Sequence, residues 1–301
     1  MLNITGNKKI YLTIPAILVI ISIVSLIFVG FNLDTDFAGG MAVTYKIESE
    51  FTTEDVTKTV ADVLGKAPTS VQASGDEVVV KFGYDNNLKT DAEKSDYALG
   101  KLEEISKALN EKYGNVVETN KDVISPSTGK ELASNALWMS ILSVILILIY
   151  ITFRFEFVSG VVAVLCLAHD VLLLCGIYSI LNISIDVNFI AAVLTVLGYS
   201  INNTIVIFDR IRENTRHAKK QTYAEIANNS VNQTLFRSLN TTVTTLLTIG
   251  MVYILGVTSI KAFAMPIIIG ILVGTYSSIF VAGSIWSMWR DSAVKAKKNQ
   301  F

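Results

Sequence analysis

Leu197-Gly198-Tyr199-Ser200-Ile201-Asn202-Asn203-Thr204 sets a polar box inside an otherwise apolar run, and Asp209-Arg210-Ile211-Arg212-Glu213-Asn214 follows at once. Lipid offers no hydrogen bonds to Ser or Asn side chains, so such groups face a bundle interior or a water-filled path. Two adjacent amides in that setting point to a site between packed helices. Interhelical glue is the plain alternative. Further polar clusters on neighbouring runs are what favour a site.

The surrounding composition makes the setting a membrane. Of 301 residues, 51% are hydrophobic, and the mean hydropathy is +0.49. A bilayer core about 30 Å thick takes roughly 20 apolar residues per helix. Six runs meet or approach that length: 10–31, 136–153, 157–180, 187–208, 239–256 and 262–287. The chain therefore reads as an α-helical integral membrane protein with six transmembrane helices. Lys8-Lys9 before the first run imitates a signal peptide, but the run is too long for an h-region and lacks a small-residue cleavage pattern. It is expected to be a retained anchor.

Loop charge sets the expected orientation. With the N-terminus inside, thirteen Lys and Arg fall on the cytoplasmic side, among them Lys219, Lys220, Lys295, Lys297 and Lys298. The opposite short loops, 181–186 and 257–261, hold Lys261 alone. Both termini are thus expected in the cytoplasm, with residues 1–31 forming the N-terminus and first span. Residues 136–287 carry the other five spans, with a cytoplasmic loop at 209–237 that has a helix-like second half. Residues 288–301 form a basic tail.

The stretch 32–135 lies outside on this reading, and its composition differs. It has nineteen Asp and Glu against eleven Lys and no Arg, a net charge of −8. Such acidity argues against nucleic acid as a partner. Residues 41–48 read as a strand, and 53–65 as a helix with Val56, Val60, Val63 and Leu64 inward. Ser74-Gly75-Asp76 marks a turn between strands 70–74 and 77–82. A helix over 91–113 aligns Leu99, Leu102, Ile105 and Leu109 and stops at Gly114; Val116 begins a last strand. The order β-α-β-β-α-β is that of an extracytoplasmic α+β ferredoxin-like domain.

Other chemistry is thinly represented. Cys166 and Cys175 share one span, about 13 Å apart along a helix, beyond disulfide reach. With two His and no ligand spacing, no metal site is expected. The third span holds His169-Asp170, and a charge at that depth costs about 2.5–3.5 kcal/mol on the insertion scale. Asp170 is a candidate for proton exchange or for a structural hydrogen bond to a neighbouring Asn or Thr. In the fifth span Arg237, Thr241, Thr244 or Thr245, and Thr248 align on one face, although Arg237 near a helix end can simply snorkel. Gly270, Gly274, Ser278 and Ala282 give the sixth span a small-residue face for close packing.

Taken together these motifs resemble the SecF branch of the SecD/SecF export family, within the resistance-nodulation-division superfamily. Asp36-Phe37-Ala38-Gly39-Gly40 looks like its Asp-Phe-x-Gly-Gly motif at the outer-domain junction, which SecD shares. His169-Asp170, the run from Gly198 to Thr204, the run from Phe208 to Asn214, and Arg237-Ser238 with its threonines resemble the family's third to fifth spans. The resemblance covers essentially the whole chain. It implies a subunit that works with SecD, beside SecYEG, SecA and YajC, to assist late stages of protein export with the proton-motive force. The implied location is the bacterial cytoplasmic membrane, and the implied ligand is exported polypeptide. No enzyme activity, catalytic residue, cofactor or nucleotide is implied.

By the same resemblance His169, Asp170, Ser200, Asn202, Asn203, Thr204, Arg237 and Thr241 form the intramembrane polar site or proton path. Asp36, Phe37, Gly39 and Gly40 form the junction motif, and Asp209, Arg210, Arg212 and Glu213 a cytoplasmic motif. One departure stands out: the family's acid after Gly-Tyr-Ser-x-Asn is Asn203 here, which cannot ionise. A half-size superfamily transporter for a lipid or small molecule, or a membrane scaffold that moves nothing, are the alternatives.

Overall fold

In the computed structural model, which describes residues 2–85, 88, 90–218 and 221–298, six helices are long and apolar enough to cross a membrane. They are α1 (Lys8–Phe28), α5 (Pro126–Arg154), α6 (Phe157–Ile180), α7 (Val187–His217), α8 (Tyr223–Leu255), and a last span of α9 (Thr258–Tyr276), a π turn (Ser277–Ala282) and α10 (Gly283–Lys298). Lys219, Lys220 and the last residues 299–301 lie outside the described residues. Between α1 and α5 come α2 (Thr35–Ala38), β1 (Gly40–Ile47), α3 (Thr53–Leu64), β2 (Ser70–Ser74), β3 (Glu77–Gly83), α4 (Asp91–Tyr113) and β4 (Val116–Ile124).

The small domain follows from period-two and period-3.6 patterns meeting. Met41, Val43, Tyr45 and Ile47 alternate inward from β1, as do Val78, Val80 and Phe82 from β3. Val56 and Val60 from α3 and Leu102, Ile105 and Leu109 from α4 close the core over one sheet face. The inner face of α4 starts at Ala98, which is fully buried, whereas Leu99 is 43% exposed. The expected face was one residue off at that end, because at about 100° per residue Ala98 falls nearer the mean direction of Leu102 and Ile105. The sheet order is β2-β3-β1-β4, every neighbouring pair antiparallel. Gly75, at φ +66°, makes the tight turn between β2 and β3.

Within the bundle, α7 and α9 run side by side in rows four residues apart. A β-carbon on Gly270 would meet Val196, and one on Gly274 would meet Ser200, while Ser278 and Thr204 hydroxyls pair at 2.8 Å. The small-residue face of the last span therefore packs on α7. Gly176 likewise lets α1 approach α6 at Ser22. The spans of α6, α7 and α9 are the best buried, while α5 and α8 show most of their surface. Between α5 and the α6–α7 pair lies an apolar cleft of about 680 Å³, lined by residues such as Leu137, Ile141, Ala168, Val171 and Phe189.

Two boundaries differ from expectation. Helix α5 begins at Pro126, ahead of the apolar run from 136, because Ser125 caps it and proline suits the first helical turn. Most of the segment 209–237 is helical: α7 continues through His217, and α8 starts at Tyr223 behind a Thr222–Glu225 capping box. Its second half packs into the bundle. Ile226, Ala227 and Val231 are buried in a cluster with Ile4, Ile211 and Trp286. The residues before α1 cross this cluster as a strap. Asn232 accepts from the Leu2 amide at 2.8 Å and donates to its carbonyl at 2.8 Å, and Asn228 accepts from the Ile4 amide at 2.8 Å.

Candidate functional site

Polar side chains converge where α6, α7 and the last span meet. Asp170 is fully buried on α6. Its Oδ2 accepts from the Ser200 hydroxyl at 2.5 Å and from Ser277 at 2.9 Å. Its Oδ1 lies 2.9 Å from Nδ1 of His169, whose Nε2 is buried without a partner among the described residues. One turn further along α7, Thr204 bonds Ser278. Asn203 is 2% exposed, and its amide nitrogen likewise has no partner among the described residues. Three hydrogen-bonding neighbours fix this buried carboxyl in place between the helices.

The structure thus gathers His169, Asp170 and Ser200 into one hydrogen-bonded group, with Thr204 joined to it through the carbonyl of Ser200. Asn202 and Arg237 are exposed on the outside of the chain. Thr241 is half-buried, and its hydroxyl bonds back to the Arg237 and Ser238 carbonyls of its own helix. The outward face of α8 carries Arg237, Asn240, Thr244 and Thr248, a polar stripe beside the exposed apolar residues Leu239, Val243 and Leu247. Beside it, Tyr199 of α7 donates to the Thr241 carbonyl at 2.7 Å and pairs closely with Thr245. Ser277 escaped the sequence reading, because the four-residue spacing singles out Ser278 instead.

A second cluster joins the small domain to the bundle. Asp34 caps α2 through the Thr35 amide, and its own amide bonds the Ile185 carbonyl at 2.9 Å. Asp36 accepts from the Val187 amide at 3.3 Å, and Asp186 caps α7 through the Phe189 amide at 2.9 Å. Phe37 wedges among Leu174, Tyr178, Ile185 and Phe189. Lys81 of β3 reaches in from the domain, 2.9 Å from Asp34 and 3.6 Å from Asp36. Burial pushes the Asp34 carboxyl above its ordinary range, with Lys81 offsetting part of the shift. Burial works against the Lys81 ammonium, but Asp34, Asp36 and Asp186 together hold its pKa above the ordinary value.

Oxygens of the three carboxylates come within 4.8 Å of one another, a spacing that a cation can bridge. The ammonium of Lys81 already supplies positive charge there. Gly39 and Gly40 sit in the same junction at φ +80° and +155°. A β-carbon on Gly40 would lie 2.4 Å from the Phe82 carbonyl oxygen, and one on Gly39 3.0 Å from Pro126 backbone. These glycines are required by close backbone approach. At the opposite end of the bundle, Arg210 donates to Gln233 and to Glu213, each at 2.6 Å, and Asn214 donates to Ser230 and Gln233. That motif staples α7 to α8, while Asp209 and Arg212 are exposed.

Residues 104–292 match the family model described as protein export membrane protein SecD/SecF, C-terminal. This chain belongs to the SecD/SecF family. It is 37% identical over 290 residues to the protein translocase subunit SecF of Sebaldella termitidis, covering 94% of this chain and 90% of that one. It is 34% identical to the protein translocase subunit SecDF of Bacillus subtilis, spanning 98% of this chain but only 39% of that longer protein. The crystal structure of SecDF, a translocon-associated membrane protein, from Thermus thermophilus superposes with a TM-score of 0.80 at 33% identity, over 96% of this chain and 39% of the other. Six apolar helices in a SecD/SecF family member make this a multi-pass membrane protein.

Proposed function

We propose that this chain is a SecF-type subunit of the Sec protein translocase, acting with SecD to assist late stages of export with the proton-motive force. The observation that carries the reading is Asp170, fully buried between three helices and held by Ser200, Ser277 and His169. A single protonatable group in that position suffices to bias a helix rearrangement, since a charge crossing the membrane carries about 2.3 kcal/mol per 100 mV. With asparagine at 203, coupling rests on Asp170 and on a carboxylate of the SecD half. The outward polar stripe of α8, which includes Arg237, and the exposed Asn202 of α7 are assigned to contact with SecD.

The β-α-β-β-α-β order and the β2-β3-β1-β4 sheet support a ferredoxin-like label for the outer domain, taken as residues 32–135. Charge bias supports placing it outside the cytoplasmic membrane, with both termini in the cytoplasm. SecYEG, SecA and YajC are the further partners, and exported polypeptide is what the outer domain meets. The relatives' names favour this reading over a half-size transporter of small molecules. Purification from membranes in a mild detergent tests it. SecD and SecYEG should copurify, and deleting the gene should slow late translocation. Recovery of the chain alone, stable and with export unaffected by its loss, would refute the proposal.

A further inference from the structure

The last span abandons α-helical hydrogen bonding where it meets Asp170. Ser277, the first residue of the π turn, is fully buried. π turns are rare and recur at functional sites, because the widened backbone re-aims side chains. The turn opens at Ser277, whose hydroxyl lies 2.9 Å from Oδ2 of Asp170 and 3.1 Å from the carbonyl oxygen of Gly274. A serine hydroxyl has one proton, so it donates to one of these acceptors at a time. Ser200 approaches the same Oδ2 at 2.5 Å.

An ionised carboxylate accommodates both donors, since it only accepts. Once Oδ2 carries a proton it becomes a donor itself, and two hydroxyl donors on that oxygen are one too many. Among the described residues the Ser200 hydroxyl has Asp170 as its one recorded acceptor, whereas Ser277 has Gly274 in reach. We infer that Ser277 is the positioning residue that reads the protonation of Asp170. On protonation it turns its donor bond to the Gly274 carbonyl and accepts from the Asp170 O–H. No atom is gained or lost beyond the one proton on Oδ2. The exchange acts at the junction of α-helix and π turn, where the Ser277 amide already bonds the Gly274 and Val273 carbonyls. Gly274 also lines the contact with Ser200, so a shift of this turn is felt by α7.

The titratable groups facing Asp170 are His169 beside it and Cys166 one turn earlier on α6. The elements packed against it, α7 and the last span, present Ser200 and Ser277. Among the described residues no Lys, Arg or other carboxylate pairs with it. The inference rests on the reading of Asp170 as the protonated group given under Proposed function.

Two measurements test it on the complex with SecD. Late translocation into inverted vesicles, followed across pH, should lose about tenfold of its pH contrast in Ser277→Ala, the size of one charge-assisted hydrogen bond. Infrared difference spectra across pH should show a carboxylic-acid band that Asp170→Asn abolishes, and Ser277→Ala should move its frequency and midpoint. That band needs no export activity, so a variant that translocates poorly still reports. An Asp170 band identical in Ser277→Ala and wild type would overturn the role of Ser277 and leave Asp170 standing. A spectrum with no titrating Asp170 band, together with a wild-type pH profile in Asp170→Asn, would overturn the underlying reading as well.

Discussion

The Ser200 hydroxyl donates to Asp170 across 2.5 Å, tying α7 to α6 at a point where neither residue is more than 3% exposed. Removing the donor leaves a buried carboxyl short of one partner. Ser200→Ala is expected to destabilise the bundle by about 1.5–3 kcal/mol, the range for hydrogen bonds to charged groups. The check is thermal unfolding in detergent. A melting curve superimposable on wild type would mean that water replaces the serine.

Gly40 and Gly65 make a matched pair for the small domain. Both have positive φ, but a β-carbon on Gly40 would strike the Phe82 carbonyl at 2.4 Å, whereas nothing lies within 4 Å of one on Gly65. Gly65→Ala should cost about 1–2 kcal/mol from backbone strain alone. Gly40→Ala should cost more and loosen the β1–β3 pairing. Proteolysis of the small domain in membranes ranks the two, and equal rates would remove the steric account of Gly40.

The Lys81 latch carries a pH signature. Asp34 is raised above its ordinary 3.8, and Lys81 above its ordinary 10.5. A raised pKa means that the folded form binds more protons than the unfolded one, so stability falls as pH rises through each window. The Asp34 contribution is complete below 3.8 and is lost as pH climbs through its folded pKa. That of Lys81 is complete below 10.5 and is lost above it. Tyr45, buried and raised to about 12, weakens the domain in the same alkaline window. Lys81→Met should therefore remove a share of the alkaline loss. At neutral pH it should cost about 3 kcal/mol, because it strands buried Asp34. Melting curves at pH 7 and pH 11 decide, and an unchanged alkaline slope would count against the latch.

At position 203 an amide nitrogen is buried without a partner among the described residues. Asn203→Asp places a carboxyl there and should strengthen the uncoupler sensitivity of late translocation. Asp170→Asn should weaken whatever sensitivity wild type has. Vesicle assays with and without an uncoupler separate the outcomes. If Asn203→Asp changes nothing and wild type is fully sensitive, position 203 is no gate in this chain.

Orientation is open to direct labelling. Lys121 on β4 and Arg216 near the end of α7 are both exposed. An impermeant thiol reagent added to intact cells should modify Lys121→Cys and spare Arg216→Cys. The reverse pattern would invert the topology.

How far the sequence alone reached depends on the length of each pattern. Apolar runs near twenty residues and the alternation Met41, Val43, Tyr45 are local signals, so spans and strands were legible. His169-Asp170 and Ser200 stood out because polar groups are rare in such runs. Ser277 did not, because the four-residue rhythm of small residues through Gly270 and Gly274 picks out Ser278, one position further on. Lys81 was silent for another reason: on the outer face of a strand, a lysine looks solvated until α2 and α7 are placed around it. The end of α7 was hidden by its charged face, which looks like loop, whereas the start of α8 already showed as helix-like in the sequence.

The asparagine grip on the first residues has a consequence for how the chain is made. Leu2 and Asn232 are 230 residues apart in sequence. At synthesis rates of about 5–20 residues per second, Asn232 leaves the ribosome roughly 10–50 s after Leu2. The start of the chain must wait that long before its lasting partner exists, by which time the small domain and four spans have been made. Seating of Ile4 is then a late step of biogenesis, since the cluster it enters also draws on Ile279 and Trp286, which are made later still.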